Sequence, residues 1–318
     1  MTHRTAVDDA EGSGRLAPPR VTVIGEALID VLHRPGEEPV ETPGGSPLNV
    51  AISLARLGVP THLLTALGAD DRATAIERHA IASAVHILPN ARTLAATSCA
   101  VAWVDHDGAA TYDFDIQWDL PPTELPRTEA VHTGSLALFI SPGRDQVMDH
   151  LTRASQQHAL VSIDPNIRPS ILNDRNSVRA RFWEALALAD VVKLSDEDAA
   201  WLYPDRSPRW VLAELLQAGP ALAAMTLGRR GAMLSSHVAT VQVPAASVVV
   251  VDTVGAGDSF MGALIHGLLE LRTDAGFGAY HELGPEELSR LGSFAALVAG
   301  RTVARNGANP PWIEELLP

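Results

Sequence analysis

The 318-residue chain is short of several residue types, and each scarcity removes a class of protein. Cys99 is its single cysteine, so no intrachain disulfide and no cysteine-based zinc cluster can form. Lys193 is its single lysine, beside 23 arginines. Leu194 follows it and no glycine-rich loop precedes it, which excludes a Walker-type G-x-x-x-x-G-K-[ST] loop. The V-A-I-K, H-R-D and D-F-G segments of protein kinases are absent too. No apolar run approaches the ~18 residues that cross a bilayer; the longest aliphatic stretch, Ser247 to Val251, has strand length. Formal net charge is −14 with no basic block, so the clustered cations that nucleic acid or an anionic membrane requires are missing. A local basic site for a small phosphorylated ligand remains compatible with that balance. The N-terminus has no apolar signal region, and the expected compartment is cytoplasmic. H-E-x-x-H and G-x-S-x-G do not occur, and the twelve histidines show no metal-ligand spacing.

What is present reads as a globular chain, 46% hydrophobic and 19% charged. At ~150 residues per domain the length fits two domains or one large α/β unit. Residues 1 to 19 mix Thr, Asp, Gly, Arg and Pro without periodicity and read as a disordered tail, leaving 20–318 as the folded domain. Val21 to Gly25 has the pattern of a buried strand, and Leu63 to Gly68 of the next. Between them Ser46 suits an N-cap, Pro47 the first helical position and Gly58 the position after the helix. Cys99 to Val104 and Ala109 to Phe114 flank an Asp107-Gly108 turn and predict a hairpin.

From there strands and helices alternate. Strands are expected at Val131 to Gly134, Leu160 to Asp164, Asp190 to Leu194, Leu222 to Leu227 and Val248 to Val251. Helices are expected at Gly143 to His158, Arg175 to Ala189, Pro208 to Ala218, Ser259 to Leu271 and Pro285 to Val303. Such alternation predicts a parallel sheet with helices on both faces.

Two segments carry the chemistry. Asp252-Thr253-Val254-Gly255-Ala256-Gly257-Asp258 leads into a helix. Small residues at 255 to 257 let backbone N–H groups approach an anion, and the helix start adds partial positive charge. A carboxylate beside a phosphate is repelled, so Asp258 fits a general base for an attacking hydroxyl. The alternative is an ordinary strand-to-helix turn with Asp258 as an N-terminal charge. The second segment is Gly25 to Asp30 followed by Gly44-Gly45-Ser46-Pro47-Leu48-Asn49. Asp30 and Asn49 suit the vicinal hydroxyls of a polyol, or else Asn49 is a cap beside a loop glycine pair.

These residues resemble the PfkB/ribokinase family of carbohydrate kinases, and most of all its fructokinase-type members. Asp252 to Gly262 matches the family signature D-T-x-G-A-G-D-x-F, and Gly44 to Ala51 matches G-G-[ASP]-x-x-N-x-A. The similarity runs from about Val21 to Glu315. It implies a ribokinase-like three-layer α/β/α fold, with a central mostly parallel sheet and a small β lid from segments near 31–42 and 99–118. It implies Asp258 as catalytic base and Gly255, Ala256 and Gly257 as an anion hole. Asp30, Gly44, Gly45 and Asn49 would bind the sugar. Asp164-Pro165-Asn166-Ile167-Arg168 resembles D-x-N-x-R, which would bring Arg168 to the sugar and the transferred phosphate. Without the motif, Arg168 reads as a surface ion-pair residue.

Ser195 to Asp198 resembles N-x-x-E with Ser for Asn and Asp for Glu. Asp198 or Glu197 would then serve magnesium, through water. Thr226, Gly228 and Gly231 resemble the T-x-G-x-x-G strand end at the ATP phosphates, with Ser195, Gly257, Asn306 and Asn309 also on the nucleotide side. Asp252, with the carbonyls of Val254, Thr302 and Gly307, would hold a potassium ion, although Pro311 stands where some members have a serine ligand. The implied activity is ATP- and magnesium-dependent phosphorylation of a sugar, fructose first, with 2-keto-3-deoxygluconate and ribose as rivals. A non-catalytic sugar-binding regulator is the alternative outside the class. Tyr112, Phe114 and Trp118 would form the lid's apolar face, and a homodimer through the lid is expected.

Overall fold

The computed structural model describes residues 20–104, 110–271, 280 and 282–316; the expected tail and the Asp107-Gly108 turn lie outside them. The elements in chain order begin with β1 (Val21–Ile24), β2 (Leu28–His33), β3 (Val40–Gly44), α1 (Ser46–Arg56), β4 (Thr61–Leu64), α2 (Asp71–Ala82) and β5 (Val85–Ile87). There follow β6 (Cys99–Val104), β7 (Ala110–Asp115), β8 (Ala130–Gly134), α3 (Gly143–Gln156), β9 (Leu160–Asp164) and α4 (Arg175–Leu186). The remainder are β10 (Val191–Ser195), α5 (Asp196–Leu202), α6 (Pro208–Gln217), β11 (Leu222–Thr226), β12 (Ala232–Ser236), β13 (Thr240–Val243), α7 (Ala256–Leu271) and α8 (Pro285–Val303).

Nine strands form one sheet in the order β13-β12-β11-β10-β9-β8-β1-β4-β5. All neighbours run parallel except the antiparallel pairs β11–β12 and β12–β13. Burial on both sides explains why β1 reads VTVI rather than alternating apolar with polar. Val21 and Val23 enter the core beneath α1, α2, α7 and α8, whereas Ile24 enters the core beneath α3, α4, α5 and α6. These are the three layers expected from the sequence. A second sheet, in the order β3-β2-β6-β7, holds the predicted hairpin and the segment near 31–42.

The main sheet changes direction at β1, whose neighbours are β4 on one side and β8 on the other. In such sheets ligands bind beyond the carboxyl ends of the strands at the switch. Gly25, Gly134, Asp164, Ser195 and Thr226 all stand at those ends.

Four expectations are corrected. Val248 to Val251 is not a strand: Val249 is 82% exposed and none of the described strands pairs with it. The segment passes over α8 instead, where Gly300 leaves room for Ala246, and the amides of Val251 and Asp252 donate to the Val303 carbonyl. The strand expected at Leu63 to Gly68 is Thr61–Leu64, and α7 starts at Ala256 rather than Ser259. Trp118 does not line the small sheet: it is buried in the main core, and its carbonyl accepts from Gly143.

Glu26 follows β1 and is 2% exposed, with its carboxyl accepting from the amides of Leu136 and Ala137 in a 3-10 turn. Burial pushes its pKa up to about 7, against partial relief from those hydrogen bonds. The folded protein therefore holds this proton at a pH where the unfolded chain has released it. The contribution of Glu26 to stability is full below about pH 4.5 and is lost as pH rises through 7, by about 3 kcal/mol. Urea unfolding of Glu26→Gln should show a shallower fall in stability than wild type between pH 5 and 8; parallel profiles would contradict this.

Candidate active site

The candidate site is assembled where the first turns of α1 and α7 meet above the carboxyl ends of the strands. Asp258, in the first turn of α7, is 7% exposed. Its Oδ1 accepts from the Ser46 hydroxyl at 2.6 Å and its Oδ2 from the Asn49 amide at 2.8 Å. Ser46 is therefore not the N-cap expected from the sequence. Gly45 holds that position, with no side-chain bond, and Ser46 turns its hydroxyl to Asp258. Asn49 Oδ1 is buried without a partner, an acceptor aligned beside the Asp258 carboxylate.

The glycines of the two signatures have separate reasons. Gly255 has φ +75°, and a Cβ there would lie 2.5 Å from that of Ala308, so the loop before α7 touches the 305–311 segment. Gly45 has φ +106° and passes close to the Glu26 carbonyl, while a Cβ at Gly44 would collide with the Asp30 carboxylate. The glycine pair thus makes room first for Asp30 and the backbone after β1. Ala256 and Gly257 open α7, where the first-turn N–H groups have no intrahelical acceptor.

Lys193 lies behind that turn. A Cβ on Gly257 would come within 2.8 Å of its Nζ. Its ammonium donates to Asp164 Oδ2 at 2.7 Å, and both groups are buried. Burial alone would strip the charge from Lys193; the Asp164 carboxylate, with Asp258 and Asp198 farther off, more than offsets this and holds the ammonium above its usual range. Neither residue stood out in the sequence as a pair, because they are 29 positions apart on neighbouring strands.

Asp30 is exposed on β2, with its carboxylate against Gly44. Desolvation by the surrounding protein pushes its pKa up to about 6 against the pull of Arg168. Arg168 is exposed, bonded to the Asn166 side chain and carbonyl. Asp198 is tied up: its Oδ2 accepts from both the amide and hydroxyl of Ser195, and its Oδ1 from the Ile167 amide. Glu197 beside it is exposed. Gly231, with φ +85°, turns against the Val243 carbonyl after the exposed Gly228-Arg229-Arg230, and Thr226 ends β11 half-buried.

On the far side, Asp252 accepts from the amides of Val254 and Gly307. The Thr302 carbonyl accepts from Arg305 and that of Gly307 from Asn309. Arg56 bonds Asn309 and the Pro310 carbonyl, while Asn306 is exposed. Among the described residues no three His, Cys, Asp or Glu side chains form a group that would hold a metal ion. A divalent ion fits this site only as a partner of phosphate oxygens that keeps most of its waters. No described helix is long and apolar enough to cross a membrane.

A carboxylate oriented by two donors, set in the first turn of a helix and backed by a buried ammonium, is a site for moving a proton beside an anion. The chain as a whole resembles known proteins. The profile of the pfkB family carbohydrate kinases matches residues 19–315. A fructokinase of Klebsiella pneumoniae is 33% identical over 259 residues, covering 78% of this chain and 84% of its own. A fructokinase of Rhizobium leguminosarum bv. trifolii is 35% identical, covering 77% and 78%. The crystal structure of a Xylella fastidiosa fructokinase with bound ATP superposes with a TM-score of 0.78 at 27% identity, covering 94% of this chain and 97% of the other. The chain belongs to the pfkB family and is a carbohydrate kinase.

The Lys193–Asp164 pair yields a stability prediction. Lys193→Met leaves a carboxylate buried without its partner and should cost about 3–5 kcal/mol in urea unfolding. Adding Asp164→Asn should recover much of that loss. A single variant as stable as wild type would show that the pair does not hold the site.

Proposed function

We propose that this chain transfers the γ-phosphoryl group of ATP to a hydroxyl of a free sugar, fructose first, with Asp258 as general base. The observation that carries the reading is Asp258 itself: a buried carboxylate, held at both oxygens, in the first turn of α7, where the Ala256 amide donates back to the Thr253 carbonyl. The acceptor hydroxyl gives its proton to Asp258 while its oxygen bonds to the γ-phosphorus, and the bond from that phosphorus to the bridging oxygen of ADP breaks. Gly255, Ala256 and Gly257 receive the developing charge through backbone N–H groups, with the Lys193 ammonium behind them. Asp30 and the unpartnered Asn49 Oδ1 offer acceptors for the sugar hydroxyls. Arg168, near Asp30, faces the sugar and the transferred phosphate.

Thr226, Gly228, Gly231, Ser195, Asn306 and Asn309 border the nucleotide, in keeping with the ATP found in the Xylella fastidiosa relative. Bound magnesium would neutralise charge on the phosphates; Glu197 would hold it through water, while Asp198 fixes the turn beside it. Asp252 and the carbonyls of Val254, Thr302 and Gly307 form the candidate potassium site. The four-stranded sheet serves as the lid and as the surface for a second copy. The preference for fructose over 2-keto-3-deoxygluconate and ribose rests on the curated relatives.

ADP release measured with ATP, magnesium and a panel of these sugars, with and without potassium, tests the reading. Sugar-dependent turnover is expected, fructose giving the highest kcat/KM. Asp258→Asn should lower kcat by roughly 10²–10⁴-fold while calorimetry shows sugar affinity kept. Silence across the panel from folded protein, with sugar still bound, would favour a non-catalytic regulator.

Asp30 adds a pH dependence. Above about pH 6 its carboxyl is ionised and accepts from sugar hydroxyls, and below that it is protonated. Sugar affinity should weaken as pH falls through 6, and Asp30→Asn should be weaker but flat across that range. A wild-type affinity independent of pH between 5 and 7 would remove Asp30 from the sugar contacts.

A further inference from the structure

We infer that Ser46 is a positioning residue for phosphoryl transfer, its hydroxyl fixing the plane of the Asp258 carboxylate. The inference rests on the kinase reading and extends it to a residue outside the expected sugar and base set. A serine at a helix start ordinarily caps the helix. Here Gly45 stands at the cap without a side-chain bond, and the Ser46 hydroxyl is spent on Asp258. The 2.6 Å separation is that of a charge-assisted O–H···O⁻ bond, and both residues are 7% exposed, so water competes little for it.

Asn49 holds only Oδ2. The torsion that turns a carboxylate about its Cβ–Cγ bond is broad, so one donor leaves the plane free to rock. Ser46 and Asn49 are three residues apart and share one face of α1, which brings one donor to each oxygen. Each oxygen keeps a lone pair for the sugar hydroxyl.

Ser46→Ala and Ser46→Thr, assayed by ADP release beside wild type, test this. Ser46→Ala should lower kcat about tenfold with the sugar KM within about twofold, and Ser46→Thr should recover most of the loss. A urea double-mutant cycle reads the same contact without turnover: Ser46→Ala and Asp258→Asn should couple rather than add. A Ser46→Ala enzyme with wild-type kcat overturns the inference. So does an unchanged kcat with a raised KM, which would make Ser46 a sugar contact, and so does an additive cycle. A wild type silent toward every sugar overturns the kinase reading, and the inference with it; an active wild type with an unaffected Ser46→Ala overturns the inference alone.

Discussion

The structure depends on one junction, where a single turn of α1 grips the carboxylate at the start of α7. The residues joined, Ser46 and Asn49 to Asp258, are more than 200 positions apart. The fold brings them together because α1 and α7 pack side by side over one face of the sheet. Small side chains permit the approach: a Cβ on Gly262 would lie 2.6 Å from the Ser53 hydroxyl, which reaches the Ser259 carbonyl. Thr302 of α8 completes the contact through the Ser259 hydroxyl. Fold and candidate site are thus one packing problem, because the helices that close the core also hold the Asp258 carboxylate.

Electrostatics follow from the same arrangement. A chain of net charge −14 would repel a phosphate at long range. Local positive charge near Asp258 is supplied by the start of α7 and the buried Lys193 ammonium, and the exposed Arg168 guanidinium acts on Asp30. Lys193 is compensated by Asp164 and so is kept charged in a buried place. The 305–311 segment is held by Arg56 on one side and by Asp252 on the other, and Gly255 rests against it.

Much of this was legible in the sequence. The strands β8 to β11, the helices α3, α4, α6 and α8 and the hairpin followed from apolar periodicity and turn residues, because their burial is set by local pattern. The DTVGAGD and GGSPLN segments pointed to Asp258 and Asn49, which the structure brings into contact, because loop-to-helix chemistry is local too. The valines at 248–251 misled, since β-branched residues fit a strand without guaranteeing a partner. Ser46 misled because its cap and its bond to Asp258 are alternatives that only tertiary contact decides. Asp198 carries a visible motif, yet its commitment to Ile167 spans 31 residues and is invisible in sequence. The helix α2 had a readable start at Asp70, which caps it through the Ala73 amide.

A crystal structure of the protein with fructose and a non-hydrolysable ATP analogue would show directly whether Asp258, gripped by α1, faces the acceptor hydroxyl. One sugar hydroxyl is expected within about 3 Å of the Asp258 carboxylate, facing the terminal phosphorus, with the Ser46 and Asn49 bonds retained. A sugar seated with no hydroxyl on Asp258, or a carboxylate turned away from α1 in that complex, would contradict it.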